Sequence, residues 1–191
     1  MKKCLAIAWL LSTLTAFQAH ANDAGSVTKY VADPAASRLE FSGMQAGAAF
    51  KGAFHKFTAT VDFSPGALTN SHIDVTIDMK SSDTKDAERD QTMLGADMFD
   101  VAHHPTAHYV TRRLTKTASG YSAEGVLTLR GVTKDVPINF QFTAAPATAG
   151  LEGTAKINRL EFGVGQGEWK STEWVGSEVT IAFFLVLKPQ R

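Results

Sequence analysis

The sequence predicts a mainly β protein, an antiparallel barrel or sandwich of short strands with one short helix. Three observations carry this. Short segments alternate apolar and polar residues with period two, and turn residues separate them. A single stretch, Thr84 to Gly95, lacks the alternation and holds good helix formers.

The N-terminus reads as an export signal. Lys2 and Lys3 precede a mostly apolar stretch from Cys4 to Phe17, and Ala19-His20-Ala21 supplies the small-x-small pattern read by signal peptidase. The stretch is shorter than the roughly 20 residues a membrane span needs. Residues 1–21 are expected to be cleaved and residues 22–191 to form one domain of 170 residues, enough for its own core. Cys4 is the chain's one cysteine, so the expected mature protein uses neither disulfides nor thiol chemistry. The chain holds 19 basic and 19 acidic residues, and loss of Lys2 and Lys3 leaves 17 against 19. That balance carries no footprint for nucleic acid and no polybasic patch for anionic lipid.

The strands follow in order. Arg38 to Phe41 alternates, as does Thr58 to Phe63, which ends at Ser64-Pro65-Gly66. Ile73 to Met79 alternates most cleanly, with its apolar residues on one face and Asp74, Thr76 and Asp78 on the other. The spacing predicts further strands over residues 107–114, 121–130, 136–142, 151–157 and 179–187, separated by glycine- and proline-bearing turns. The helix over 84–95 is expected to be capped by Asp83 or Thr84 and ended by Gly95, with Met93 and Leu94 facing inward.

Phenylalanines are concentrated in the strand-like segments. They either fill a sandwich core or line the cavity of a closed barrel, and periodicity does not distinguish the two. Gly43, Gly47, Gly52 and Gly125 interrupt strand-like runs, where glycine marks a bulge, a corner or a close approach. The run Phe162-Gly-Val-Gly-Gln-Gly-Glu-Trp169 has the wrong spacing for a phosphate loop. His55, His72, His103, His104 and His108 show no ligand spacing and are read as surface residues rather than a metal site. There is no cysteine nucleophile and no Gly-x-Ser-x-Gly elbow; Glu161, Glu168 and Glu173 are the remaining acid–base candidates. The protein is expected not to be an enzyme.

Four motifs in order resemble the YceI-like proteins. They are Gly52-x-Phe54, the run from Ser82 through Glu88-Arg89-Asp90-Gln91 to His104-Pro105, the segment Gly125 to Val136, and Asn158-Arg159-Leu160-Glu161-Phe162-Gly163. The resemblance covers about Tyr30 to Leu187. It implies an extended lipocalin-like barrel of eight antiparallel strands with a long apolar tunnel. It also implies a polyisoprenoid ligand, in some members a polyprenyl quinone or a fatty amide, and a periplasmic address; no cofactor is expected besides the isoprenoid lipid or quinone bound as ligand. Many members carry His-Ser near the start and a second histidine downstream, where this chain has Ala36-Ser37 and Met44-Gln45-Ala46-Gly47. The glycine run before Trp169 is similar to a subgroup found beside a membrane b-type cytochrome, which implies a quinone-linked role and a cytochrome partner. A dimer is compatible with the sequence.

Within that fold, strand parity assigns the tunnel wall to Leu39, Phe41, Phe54, Val75, Ile77, Tyr109, Leu127, Ile138, Phe140, Phe162, Phe183 and Leu185. Arg89, Asp90 and Arg159 are assigned structural roles linking the helix to the barrel.

Overall fold

The computed structural model describes residues 25–145 and 147–190; the expected signal peptide lies outside them. Eleven strands form one antiparallel sheet: β1 (Thr28–Ala32), β2 (Arg38–Gln45), β3 (Ala48–Phe54), β4 (Phe57–Phe63), β5 (His72–Asp78), β6 (Ser82–Asp83), β7 (Thr106–Thr117), β8 (Gly120–Leu129), β9 (Val132–Ala144), β10 (Ala149–Asn158) and β11 (Glu178–Pro189). The order β1-β4-β5-β7-β8-β9-β10-β11 closes on itself because β11 also pairs with β1. This ring is the eight-stranded antiparallel barrel. Closure leaves the ring strands no free edge at the β1 end.

The ring differs from the eight segments expected from the sequence in one member. Its first strand is β1, a five-residue segment whose Thr-Lys-Tyr-Val-Ala pattern gives little alternation to read. The expected strand over residues 38–41 is β2, which lies outside the ring. It pairs with the first half of β11 and carries β3 and the short β6 as an extension beside the barrel. The glycine and alanine content of β3 hides it from a pattern search.

The helix α1 spans Ala87–Leu94. Its cap is Asp86, whose carboxylate accepts from the Arg89 amide at 3.0 Å, not Asp83 or Thr84. Thr84 instead donates its amide and hydroxyl to Asp90 at 2.8 and 2.7 Å, which ties the helix back to its entry strand. Gly95 ends the helix, and Met93 is buried beneath it.

The two readings of the aromatic face both apply, at opposite ends. Around β1, Phe63 meets Tyr121, Phe140 and Phe142 with ring centroids 5.0, 5.9 and 4.5 Å away, and Tyr30 packs on Phe142 at 5.9 Å. Val61, Phe63 and Leu187 are fully buried there. This cluster is a filled core that plugs the barrel. Toward the other end Val75, Ile77, Leu127, Val179, Ile181 and Phe183 point inward yet are only half-buried, because they face open space.

Several surface carboxylates are held below their ordinary range by ion pairs. Asp83 is lowered by hydrogen bonds from the Lys85 side chain and amide and from His55, Asp100 by His103, Glu124 by Arg113 and Asp33 by Lys188. A carboxylate depressed in the folded state contributes stability above its unfolded pKa and loses it as pH falls. Stability followed by urea unfolding is expected to decline as pH drops below about 4, the unfolded carboxylate range. A stability unchanged down to pH ~2, well below that range, would contradict these pairings.

Candidate functional site

The open half of the barrel is a cavity of about 370 Å³, within the size range of small-molecule sites. Inward positions of the ring strands supply its wall. On β5 these are Ile73, Val75 and Ile77; on β8 and β9, Leu127, Leu129, Val136 and Ile138; on β11, the residues from Val179 to Leu185 at every second position. Leu39, Phe41 and Phe54 add the wall of the β2–β3 extension. Tyr109 lies among them with its hydroxyl donating to the Val136 carbonyl at 3.2 Å, and burial pushes its phenol well above the ordinary value. It is therefore a neutral, internally satisfied donor.

Of the twelve residues assigned by parity, ten stand on this wall: Leu39, Phe41, Phe54, Val75, Ile77, Tyr109, Leu127, Ile138, Phe183 and Leu185. Phe140 does not. Its parity is right, but it lies too far toward β1 and is spent in the aromatic plug, 5.5 Å from Tyr121. Phe162 does not either, because its segment is a 3₁₀ turn (Arg159–Phe162) rather than a strand, and its ring is buried outside the cavity wall. Among the wall residues that sequence reasoning missed, Ile73, Leu129, Val136, Ile157, Val179 and Ile181 share parity with assigned neighbours. That reasoning also missed Phe50, Met93, Met98, Phe99, Val164 and Trp169. The last four come from loops, for which periodicity carries no signal.

The mouth is built by two irregular segments. One is α1 with the turns that follow it, and the other is the loop from Gly163 to Gly176. The carbonyl of Asp97 accepts from the amides of Gly165 and Gln166 at 2.8 and 2.7 Å, which joins them. Arg130 reinforces the first by donating to the Met98 carbonyl at 2.7 Å.

Arg159 organises the second. It is 3 % exposed. Its guanidinium donates to the carbonyls of Gly176, Val164 and Val175 at 2.9, 2.9 and 2.8 Å, and to Ser171 at 3.5 Å. Burial lowers its pKa, and backbone dipoles stand in for a carboxylate. Gly165, at φ +100°, passes so close that a Cβ there would overlap the guanidinium.

Polar lining is confined to this end. Arg89 spans the rim: its Nε donates to Gln45 Oε1 at 2.7 Å, its guanidinium sits 4.8 Å over the Phe50 ring, and Asp86 is 3.3 Å away. Gln45, Asp86, Glu88, Arg89 and Thr92 are the polar side chains at the opening. The acid–base candidates Glu161, Glu168 and Glu173 are exposed and none lines the cavity. His55, His103 and His108 contact Asp83, Asp100 and Asp74. Among the described residues no three His, Cys, Asp or Glu side chains converge.

A closed antiparallel barrel, plugged at one end and hollow and apolar at the other, is the architecture of a small-molecule-binding barrel. The chain belongs to the YceI-like family, whose domain model matches residues 30–187. BcnA of Burkholderia cenocepacia is similar in structure, with a TM-score of 0.75 and 35% identity over 81% of this chain and 98% of BcnA. A polyisoprenoid binding domain from Saccharophagus degradans, implicated in plant cell wall breakdown, shares the fold with a TM-score of 0.66. It is 15% identical over 86% of this chain and 99% of its own. A UPF0312 protein of Vibrio cholerae is 31% identical over 121 residues, which is 60% of this chain and 64% of that protein. The match thus spans less than two thirds of the curated relative.

Arg159→Ala would leave four loop carbonyls without their donor. The expected cost is about 3 kcal/mol, read as a lower urea midpoint at unchanged slope. Arg159→Lys keeps the charge but lacks the planar fork, and is expected to recover only part of the loss. A midpoint equal to wild type for Arg159→Ala would refute the clamp.

Proposed function

We propose that this protein is an exported, non-catalytic carrier that takes a long isoprenoid chain, of polyprenyl or quinone type, into the barrel cavity. The observation that carries the proposal is the asymmetry of the lining. Apart from Tyr109, whose hydroxyl is satisfied by the Val136 carbonyl, the wall is apolar from the plug outward and the polar side chains gather at the rim. Such a site suits an amphiphile that enters tail first and leaves its head group beside Gln45, Arg89 and Thr92. Burying apolar chain stabilises by ~0.8 kcal/mol per methylene, so each five-carbon isoprene unit contributes ~4 kcal/mol before entropic costs.

Family membership and the polyisoprenoid-binding domain of Saccharophagus degradans support the ligand class. The signal-like N-terminus supports a periplasmic address. A carrier role without catalysis is supported by how three of the four charged groups lining the cavity are engaged. Asp86 caps a helix, Arg159 holds a loop, and Arg89 is tied to Gln45, while Glu88 stands at the opening. No feature among the described residues adds to the cytochrome partnership that the resemblance implies.

Leu127→Trp and Ile138→Trp place a large ring in the cavity without altering the rim. Titration of a polyprenyl quinone, followed by tryptophan quenching, is expected to show at least ~tenfold weaker binding for both than for wild type. Equal binding would place the quinone elsewhere, and no binding by wild type would overturn the proposal.

A further inference from the structure

Four inward-facing glycines each lie beneath an aromatic ring of a neighbouring strand. Gly52 pairs with Phe41, Gly43 with Phe50 and Gly153 with Phe183. Gly125 lies under Tyr109, whose ring crosses β8 at that point to reach the Val136 carbonyl of β9. At Gly52, Gly125 and Gly153 the ring overlaps the position a Cβ would take, and at Gly43 it stands in tight contact with it. At Gly52 the three nearest atoms all belong to the Phe41 ring. At Gly43 the Phe50 ring carbons stand 3.1 and 3.2 Å from the Cβ position, and at Gly153 the Phe183 Cζ stands 2.6 Å away.

The usual reasons for glycine in a strand, a left-handed backbone or a bulge, account for only one of the four: Gly125 pairs with Thr111, where the β7–β8 register shifts. None of the four has positive φ; the positive-φ glycines are 47, 120, 131, 163, 165 and 167. The β2–β3 and β10–β11 registers run through Gly43, Gly52 and Gly153 without a bulge. What all four positions share is an aromatic ring from the neighbouring strand set over the glycine. An inward ring either stands into the lumen or leans over the next strand, and a Cβ on that strand blocks the second option. Phe41, Phe50, Tyr109 and Phe183 all border the cavity.

We infer that the interior glycines set the bore of the tunnel, and so the tail length it admits. By giving up a side chain on one strand, each lets the aromatic ring of the next fold back from the lumen. The inference rests on the carrier reading for its biological meaning, but its geometry is independent of the ligand.

Gly52→Ala is the cleanest test, because its Cβ meets only the end of a side chain. At Gly125 and Gly153 it also meets backbone carbonyls of Val110 and Asn139. Gly52→Ala, the double variant Phe41→Ala/Gly52→Ala and wild type would be titrated with ubiquinone carrying either two or eight isoprene units, and Gly52→Ala would be crystallised. The expected result is near-wild-type binding of the short homologue, at least ~tenfold loss of the long one, and recovery in the double variant. In the crystal the Phe41 ring should stand in the lumen. Wild-type binding of both homologues by Gly52→Ala, or equal loss of both without recovery, would overturn the inference. If wild type binds neither homologue, the carrier reading falls and the crystal structure alone decides: a ring swung inward upholds the bore, and an unmoved ring or a displaced strand overturns it. If Gly52→Ala does not fold, Gly43→Ala, with its milder contact to Phe50, takes its place under the same criteria.

Discussion

Strand β11 is shared between two neighbours, and the rest of the molecule depends on how that sharing is arranged. Its first half pairs with β2, from Thr180 to Phe184, and its last residues pair with β1, from Leu187 to Pro189. At the handover, Val186 would lose its backbone partners. The turn between β1 and β2 supplies them: the Asp33 amide donates to the Val186 carbonyl at 2.7 Å, and the Val186 amide donates to Ser37 Oγ at 3.0 Å. Lys188 fastens the same turn by pairing with Asp33 at 2.7 Å. With these contacts a buried junction keeps its polar groups satisfied.

The handover divides the interior. Where β1 completes the ring, the barrel is narrow enough for Phe63, Tyr121, Phe140 and Phe142 to fill it. Where β2 and β3 replace β1, the wall moves outward and the inward side chains no longer meet across the axis. The cavity is the consequence. The sheet does not close around that wider end, and α1 and the Gly163–Gly176 loop cover it instead. Irregular backbone there has carbonyls to satisfy, which is why an arginine recurs as a brace: buried Arg159 on the loop carbonyls and half-buried Arg130 on Met98.

The sequence made much of this legible, for physical reasons that differ by element. Ile73 to Met79 shows its two faces because one side of β5 meets the interior and the other meets water. Ten of the twelve assigned wall positions stand on the cavity because parity survives into the folded barrel. What parity does not carry is position along the axis, so it points Phe140 to the wall although the ring packs in the plug. Nor does it carry secondary structure, and Phe162 belongs to a 3₁₀ turn. The strand β1 leaves no local signal because its place in the ring comes from pairing with β4 and β11, contacts far away in sequence. Trp169, Val164 and Phe99 reach the cavity from loops set by the Arg159 and Asp97 hydrogen bonds, which no local pattern encodes.

The central claim is that the hollow half of this barrel exists to hold an apolar chain. Organic extraction of the protein purified from the periplasm, followed by mass spectrometry, tests it most directly. The account predicts an isoprenoid species, stoichiometric with protein and lost from the Leu127→Trp variant. Protein that is folded, exported and free of extractable lipid, or that carries equal lipid with the cavity filled, would contradict it.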